Sequence, residues 1–356
     1  MIEETINHSN LKPLIPYLTY HKDHNYGKFG HRKSILLTLH HENILLEKVH
    51  KHITPDKLEF IKTGDNLLII DMSLEGRYQI VELIYNILIL SLKIPENNIL
   101  LVCPSPDYIK QIYKVSRSKF KKPINCEVYY YFERRMKDII VEENFIPNTT
   151  KNKEKLYLNF NRAVKPHRLA LINYLKENQL LDQGFNSLGD FLGLHNTMEK
   201  VIYETKSKYK NFNVEEIKKL VPLVLDREDF KKNLAMVNLH SINQYHEKSV
   251  LSLVTETNYE KSYPRFLTEK TFKPIANKQP FILVTVPNTL ELLHELGYKT
   301  FNGIIDESYD KILDDNERLY AIVEEIKRLS KYSYVDIVNN CKEIVEYNYK
   351  LLISKY

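Results

Sequence analysis

The sequence has few cysteines, namely Cys103, Cys126 and Cys341, and no C-x-x-C pair. Because their number is odd and their spacing wide, we expect neither disulfides nor structural zinc, as in a reducing compartment. Met1–Tyr20 contains no apolar stretch like that of a signal peptide. The longest apolar run, near Ile84–Leu92, is too short to span a bilayer. We therefore expect a cytoplasmic chain without a transmembrane segment.

Several motifs of nucleotide and acyl chemistry are also missing. The sequence contains no G-x-G-x-x-G, no G-x-x-x-x-G-K-[ST] and no G-x-S-x-G. It has no D-x-D pair of the kind that holds a metal-bound diphosphate. A diphosphate ligand would have to be neutralised by side chains and helix N-termini. We therefore expect no metal site and no cofactor.

The composition is that of a globular chain long enough for two domains. It has 356 residues, of which 43% are hydrophobic and 27% charged, with a net charge of +5. Lys114–Lys122 is the densest basic run and is interpreted as a solvated face, with an anionic partner as the alternative. Nucleic-acid binding is possible but not favoured, because such proteins concentrate Lys and Arg in a stripe.

Strand-like and helix-like segments alternate along the chain. Buried strands are predicted for five apolar runs: Leu67–Ile70, Ile99–Cys103, Leu156–Phe160, Ser249–Thr255 and Pro280–Val286. Helical periodicity follows most of them, which predicts an α/β fold with two doubly wound domains facing a cleft. We place the domains at residues 1–150 and 151–333. A last helix, 334–356, is expected to pack back on the first domain.

Two local predictions concern the ends of these elements. Asn288, with Glu291 three residues later and Gly297 beyond, has the signature of an N-capped helix with a glycine stop. The aromatic run Tyr129–Phe132 is interpreted as part of a strand rather than as a platform for sugars.

Cations cluster where the second domain begins. The segment from Asn159 to Arg168 contains a strand end, a polar loop and a helix start, with Arg162, Lys165 and Arg168 within it. Arginine stays charged and can hold phosphate oxygens with two parallel hydrogen bonds. The segment indicates phosphate binding, and a solvated basic turn is the alternative.

A second cluster follows the predicted strand Ser249–Thr255. Glu256 directly follows that strand, and Thr268, Glu269 and Lys270 lie at the N-terminus of a later helix. Lys270 could meet a phosphate there and Glu269 could accept hydrogen bonds from ribose hydroxyls. The alternatives are ordinary helix-end charge and a solvated loop.

The first domain offers two carboxylates at the end of the strand Leu67–Ile70. Asp71 and Glu75 lie where a parallel sheet faces its ligand. A reaction in which a hydroxyl group attacks needs a base that removes its proton, and either residue could act. Helix capping and solvation are the alternative roles.

These residues together resemble the donor-binding motif of α-1,3-fucosyltransferases. Those enzymes carry a Glu near a strand end, a Thr-Glu-Lys triplet and a Pro-apolar segment, which correspond to Glu256, Thr268–Lys270 and Pro280–Leu283. The segments Leu296–Phe301 and Ile305–Asp310 also resemble uncharacterised glycosyltransferases of large DNA viruses and phages. For a viral protein the expected location is the host cytoplasm.

The resemblance covers about half of the chain, near Leu156–Leu329, and implies a GT-B fold of two Rossmann-like domains. It implies that a nucleotide-sugar donor binds the second domain and that the reaction inverts the anomeric carbon without a metal. By position, Arg168 resembles the diphosphate-binding Arg, Lys270 the phosphate Lys and Glu269 the ribose-binding Glu. A glycan or another hydroxyl compound is the expected acceptor, and the first domain shows no clear match that would define it.

The chain also departs from that pattern. The loop Thr257–Arg265 is longer than expected, and Pro274 is unlike fucosyltransferases, so guanosine-diphosphate-fucose is one candidate donor among several. Two alternatives stay open. The first is a viral or phage enzyme that glycosylates DNA bases, which would bind DNA in a salt-sensitive way. The second is a non-catalytic module that binds nucleotide sugars or glycans.

Overall fold

A computed structural model describes residues 34–39, 45–63, 66–147, 152–191, 197–223, 225 and 239–355. The contacts between residues divide the chain into two compact units, Met1–Tyr131 and Phe132–Tyr356. Each unit contains one parallel β-sheet flanked by helices.

The helices, labelled in chain order, are α1 Leu45–His52, α2 Pro55–Lys62, α3 Gln79–Leu83, α4 Asp107–Ser118, α5 Tyr131–Glu142, α6 Pro166–Glu177, α7 Met198–Lys208, α8 Val214–Leu220, α9 Leu239–Lys248, α10 Glu269–Ala276, α11 Thr289–Glu295, α12 Asp315–Leu329 and α13 Tyr334–Ser354. Among the described residues, no helix has both the length and the apolar character needed to cross a membrane.

The first unit is built on four parallel strands in the order β1-β2-β3-β4. These are β1 Ser34–Thr38, β2 Leu67–Asp71, β3 Ile99–Cys103 and β4 Asn125–Val128. All five positions of both β2 and β3 are buried, as expected for central strands that helices cover on both faces. Between them, α3 continues as a π-helix over Ile84–Ser91, and buries Ile80, Ile84 and Leu88 against the sheet.

The second unit also has four parallel strands, in the order β6-β5-β7-β8. These are β5 Lys155–Ala163, β6 Gly184–Phe191, β7 Ser249–Thr255 and β8 Phe281–Val284. The predicted α/β class with two parallel sheets is therefore confirmed. The sequence also located β2, β3, β5, β7 and β8, with β5 longer and β8 shorter than predicted.

The strand order of the second sheet creates a topological switch point. The chain goes from β5 outward to β6 on one side and then returns to β7 and β8 on the other side. The connections from β5 and β7 therefore leave in opposite directions. In open α/β sheets the crevice at such a point, beyond the carboxyl ends of the strands, is where ligands bind. In this sheet the switch point lies between Ala163 and Thr255, the last residues of β5 and β7.

The last helix, α13, packs against α10 and β7 of the second unit. Just beyond it, the Lys355 ammonium forms an ion pair with Glu133, and the Lys137 ammonium donates to the Lys355 carbonyl. Glu133 and Lys137 lie in α5, inside the predicted first domain of residues 1–150. The contacts nevertheless group Phe132 and all later residues with the second unit. The predicted crossing of this helix to the first domain stays a prediction.

One local prediction is confirmed in part and another is wrong. The helix predicted after Asn288 is present as α11, and Gly297 follows it with φ 88°. Asn288 itself adopts a left-handed conformation with φ 63°, and its side chain does not cap α11. Asp310 caps that helix instead, because its Oδ1 accepts hydrogen bonds from the main-chain nitrogens of Thr289 and Leu290 at 3.0 and 3.4 Å. The aromatic run 129–132 is not a strand, since β4 ends at Val128 and Tyr131 begins α5.

Candidate functional site

Arg168 connects the two strands that form the switch point. It lies in the first turn of α6, which starts at Pro166 directly after the connection from β5. Its Nη1 donates to the Ala163 carbonyl at 3.0 Å, and its Nη2 donates to the Thr255 and Glu256 carbonyls at 3.1 and 3.3 Å. The guanidinium therefore lies across the carboxyl ends of β5 and β7.

The charge of Arg168 is buried but retained. The residue is 3% exposed, and burial lowers its pKa to about 10, while Glu256 and Glu269 act to raise it. The group is still protonated at neutral pH. Its terminal nitrogens bond to main-chain oxygens, so in this conformation Arg168 offers no two-pronged grip to a ligand.

Two residues that precede Arg168 also bind the chain directly after β7. The Lys165 ammonium donates to the Thr257 carbonyl at 2.9 Å, and the His167 Nε2 lies 3.2 Å from the Glu256 carbonyl. Burial lowers the pKa of His167 well below its usual value, and the positive charges of Arg168 and Lys165 lower it further. His167 is therefore a neutral imidazole that donates through Nε2.

Glu256 binds the N-terminus of α10, where the Thr-Glu-Lys triplet lies. Its carboxylate is fully buried and accepts from the Thr268 nitrogen at 2.9 Å, the Thr268 hydroxyl at 2.6 Å and the Thr271 hydroxyl at 2.7 Å. The Thr257 nitrogen approaches the same carboxylate at 3.3 Å. A carboxylate at a helix N-terminus also interacts favourably with the helix dipole. Glu256 thus holds α10 against the end of β7.

Glu269 and Lys270 are the first two residues of α10, and their side chains are partly exposed. The Lys270 ammonium is 2.9 Å from the Glu269 carboxylate and 3.1 Å from the Thr268 hydroxyl. Burial acts to raise the pKa of Glu269, but Lys270 and Lys273 outweigh it and the net pKa is lowered. The Lys270 side chain is 25% exposed, so its charge can reach a ligand that Arg168 cannot touch.

A chain of buried polar groups supports the site from within the sheet. The Thr255 hydroxyl donates to the Asn161 side chain, which donates to Asn159 at 2.7 Å. Asn159 in turn donates to Asn186 at 3.4 Å. Arg162 follows Asn161 near the end of β5, and its side chain is half-buried. The sequence marked Arg162 and Asn159 but not Thr255 or Asn186, whose partners are distant along the chain.

Sequence reasoning also missed two residues in the second unit. Tyr259 stacks on His167 with ring centroids 5.0 Å apart and an interplanar angle of 12°. The Arg318 guanidinium lies 4.4 Å from the Tyr259 ring centroid. Tyr259 belongs to the loop Thr257–Arg265, and the unusual length of that loop was the only sequence signal.

The two predicted base candidates lie in the first unit and differ in exposure. Asp71 is 1% exposed, and its Oδ1 accepts from the Ser73 nitrogen at 2.9 Å. Burial raises the pKa of Asp71, and the hydrogen bonds from Ser73 oppose that rise. Glu75 is half-buried, and its main-chain oxygen accepts from the Tyr108 hydroxyl at 3.2 Å. Asp71 thus shapes the turn after β2, while Glu75 is more accessible.

The structure thus brings Arg162, Arg168, Glu256, Thr268, Glu269 and Lys270 to one edge of the second sheet, and it places Asp71 and Glu75 in the first unit. Within the described ranges, no three His, Cys, Asp or Glu side chains are grouped as they would be around a metal ion. Comparison with known proteins found no family model and no curated protein that matches the chain.

Proposed function

We propose that this chain is an inverting, metal-independent glycosyltransferase with the two-domain GT-B arrangement. It would move a sugar from a nucleoside-diphosphate donor to an acceptor hydroxyl. The supporting observation is the position of the Arg168 guanidinium, which lies across the switch point of the second sheet beside the N-terminus of α10. Buried positive charge lies there at a topological switch point, close to a helix N-terminus, and both features are typical of phosphate sites.

The donor diphosphate would be held by three kinds of group in this site. Lys270 would leave Glu269 and bind a phosphate oxygen directly, as its partial exposure permits. Arg162 would contribute from the end of β5. Arg168 would add positive charge through the field, which acts strongly where water is excluded. Glu269, released from Lys270, would accept hydrogen bonds from the ribose hydroxyls.

The reaction needs one proton transfer and one displacement. The acceptor oxygen would form a bond to the anomeric carbon as its proton passes to a carboxylate of the first unit. The bond from the anomeric carbon to the phosphate oxygen would break, and the nucleoside diphosphate would leave with both bonding electrons. We infer that Glu75 is the base rather than Asp71, because Asp71 is buried and already orders the turn at Ser73.

A thermal-shift screen tests this proposal. The protein is heated with nucleotide sugars, nucleoside diphosphates and nucleoside monophosphates, each with and without a chelator. A ligand that binds only the folded state stabilises it and thereby raises the melting temperature. At a ligand concentration of one hundred times the dissociation constant, the stabilisation is about 2.7 kcal/mol. We expect diphosphates to stabilise more than monophosphates, and the chelator to have no effect. A stabilisation that the chelator abolishes would overturn the metal-independent mechanism.

A further inference from the structure

Tyr259 is almost completely buried in a loop that carries exposed residues at its tip. The residue is 1% exposed, whereas Lys261 and Ser262 are exposed. Its loop, Thr257–Arg265, follows directly after Glu256.

The side chain of Tyr259 is attached to the start of α12. Its hydroxyl donates to the Asp315 carbonyl at 2.6 Å. Arg318 Nη2 donates back to the Tyr259 carbonyl at 2.7 Å, while the same guanidinium lies against the tyrosine ring. Arg318 is itself held by the carbonyls of Thr285 and Ile312 at 3.1 and 2.8 Å. Ring, hydroxyl and main chain of Tyr259 are therefore all fixed.

The same ring is attached to the first turn of α6. It stacks nearly parallel on His167, whose Nε2 bonds to the Glu256 carbonyl. A neutral imidazole stacks well on a phenol, and such ring pairs contribute beyond the area they bury. The chain from Glu256 to Tyr259 is thus anchored at both ends, by His167 at one and by Arg318 at the other.

This short segment contacts the charged groups of the candidate site. The carbonyls of Thr255 and Glu256 receive the Arg168 guanidinium, and the Glu256 carboxylate receives Thr268 at the mouth of α10. A shift of Glu256 would therefore move both the Arg168 guanidinium and the N-terminus of α10. Misplacement by about 1 Å can cost about a hundredfold in an active site.

We propose that Tyr259 is a positioning residue for diphosphate binding, which acts by stacking on His167 and Arg318 to hold Glu256 in place. This inference rests on the proposed function. It assigns a role to a loop that the resemblance leaves unexplained. Tyr259 would not touch the ligand. It would instead preorganise the site, because it keeps Arg168 and the N-terminus of α10 in one fixed arrangement before the ligand binds.

The test compares four forms of the full chain: the wild type, Tyr259→Phe, Tyr259→Leu and Tyr203→Leu. Phenylalanine keeps the stacked ring and loses only the hydroxyl, whereas leucine removes the ring. Tyr203 is 74% exposed on α7 and is the matched control. Dissociation constants for inorganic pyrophosphate, guanosine diphosphate and uridine diphosphate are measured by calorimetry, alongside the melting temperature of each form.

We expect Tyr259→Leu to weaken binding of the tightest of these probes at least about tenfold. Tyr259→Phe should stay within about threefold of the wild type, because it loses one neutral hydrogen bond. Tyr203→Leu should bind as the wild type does. If Tyr259→Leu lowers the melting temperature but leaves the dissociation constant unchanged, Tyr259 is only structural and the inference is wrong. If the wild type binds none of the three probes, the proposed function fails and this inference fails with it.

A second variant covers the case in which Tyr259→Leu does not fold. His167→Asn removes the stacking partner and leaves Tyr259 bound to Arg318 and Asp315. We expect it to weaken binding of the same probe at least about fivefold. An unchanged dissociation constant in the folded His167→Asn variant would overturn the proposed anchoring of Glu256.

Discussion

Arg168 and Glu256 lie in contact at the carboxyl end of β7, where Arg168 Nη2 donates to the Glu256 main-chain oxygen at 3.3 Å. The Glu256 side chain points to the other side of this contact and caps α10 through Thr268. One residue therefore connects a buried cation with the helix that carries Lys270.

Replacing Glu256 by glutamine should destabilise the second unit. The buried carboxylate accepts hydrogen bonds from the Thr268 nitrogen and from two threonine hydroxyls. The side-chain amide of glutamine would replace one accepting oxygen by an NH2 group, which would then face groups that are themselves donors. We expect Glu256→Gln to lower the free energy of unfolding by about 1–3 kcal/mol, measured by urea denaturation. Glu324→Gln, on the exposed side of α12, should change it by less than about 0.5 kcal/mol. Equal stabilities of the two variants would contradict the capping role.

Removing the ammonium of Lys270 should slow the reaction. In the proposed mechanism Lys270 binds the departing diphosphate, so Lys270→Ala should lower turnover at least about tenfold, or about 1.4 kcal/mol of barrier. Lys270→Arg should retain more activity because it keeps the charge. Lys299→Ala, an exposed lysine over the Tyr347 ring, is the control. A wild-type rate for Lys270→Ala would remove Lys270 from the mechanism.

Stability should depend on pH through His246. This histidine is buried, and its Nδ1 lies 2.6 Å from the Gln279 side-chain oxygen. Burial lowers the pKa of His246 from 6.5 to about 4. The unfolded chain then binds the proton more readily, so the stabilising effect is complete above pH 6.5 and is lost as the pH falls through about 4.

The His246→Asn variant isolates this effect. It should be less stable than the wild type at pH 7, and the difference should shrink by up to about 3 kcal/mol as the pH is lowered toward 4. Chemical denaturation across that pH range measures both proteins. A stability difference that stays constant with pH would show that His246 does not titrate as its burial requires.

The ion pair of Glu133 with Lys355 should hold the end of the chain on α5. Glu133 is fully buried and also accepts from the Tyr298 hydroxyl at 2.6 Å. Glu133→Gln should lower the free energy of unfolding of the second unit by about 1–3 kcal/mol, since it weakens hydrogen bonds to a charged group. Glu343→Gln on the exposed face of α13 is the control. Limited proteolysis should release the C-terminal helix faster from Glu133→Gln than from either the control or the wild type.

The sequence predicted those strands that helices cover on both faces, because such strands are nearly continuous apolar runs. It missed β1, β4 and β6, and the last of these contains Asn186 and Ser187. These polar residues are tolerated inside the sheet because Asn186 donates to the Tyr157 hydroxyl at 3.1 Å and Ser187 accepts from the Asn161 nitrogen at 3.2 Å. The partners lie on a neighbouring strand, so no local pattern reveals them.

The candidate site was predictable in its residues but not in their roles. Arg168 and Lys270 stood out because cations near strand ends and helix starts are typical of phosphate sites. That Arg168 is buried against main-chain oxygens depends on the pairing of β5 with β7, which local patterns do not give. Arg318 bonds to Tyr259 across 59 residues of sequence, and a contact of that separation leaves no periodic signal.

The most direct test of the central claim is a crystal structure with the nucleoside diphosphate that stabilises the protein most. We expect its phosphates at the carboxyl ends of β5 and β7, with Lys270 Nζ about 3 Å from a phosphate oxygen and released from Glu269. A diphosphate bound elsewhere on the chain, with Lys270 still paired to Glu269, would contradict the account.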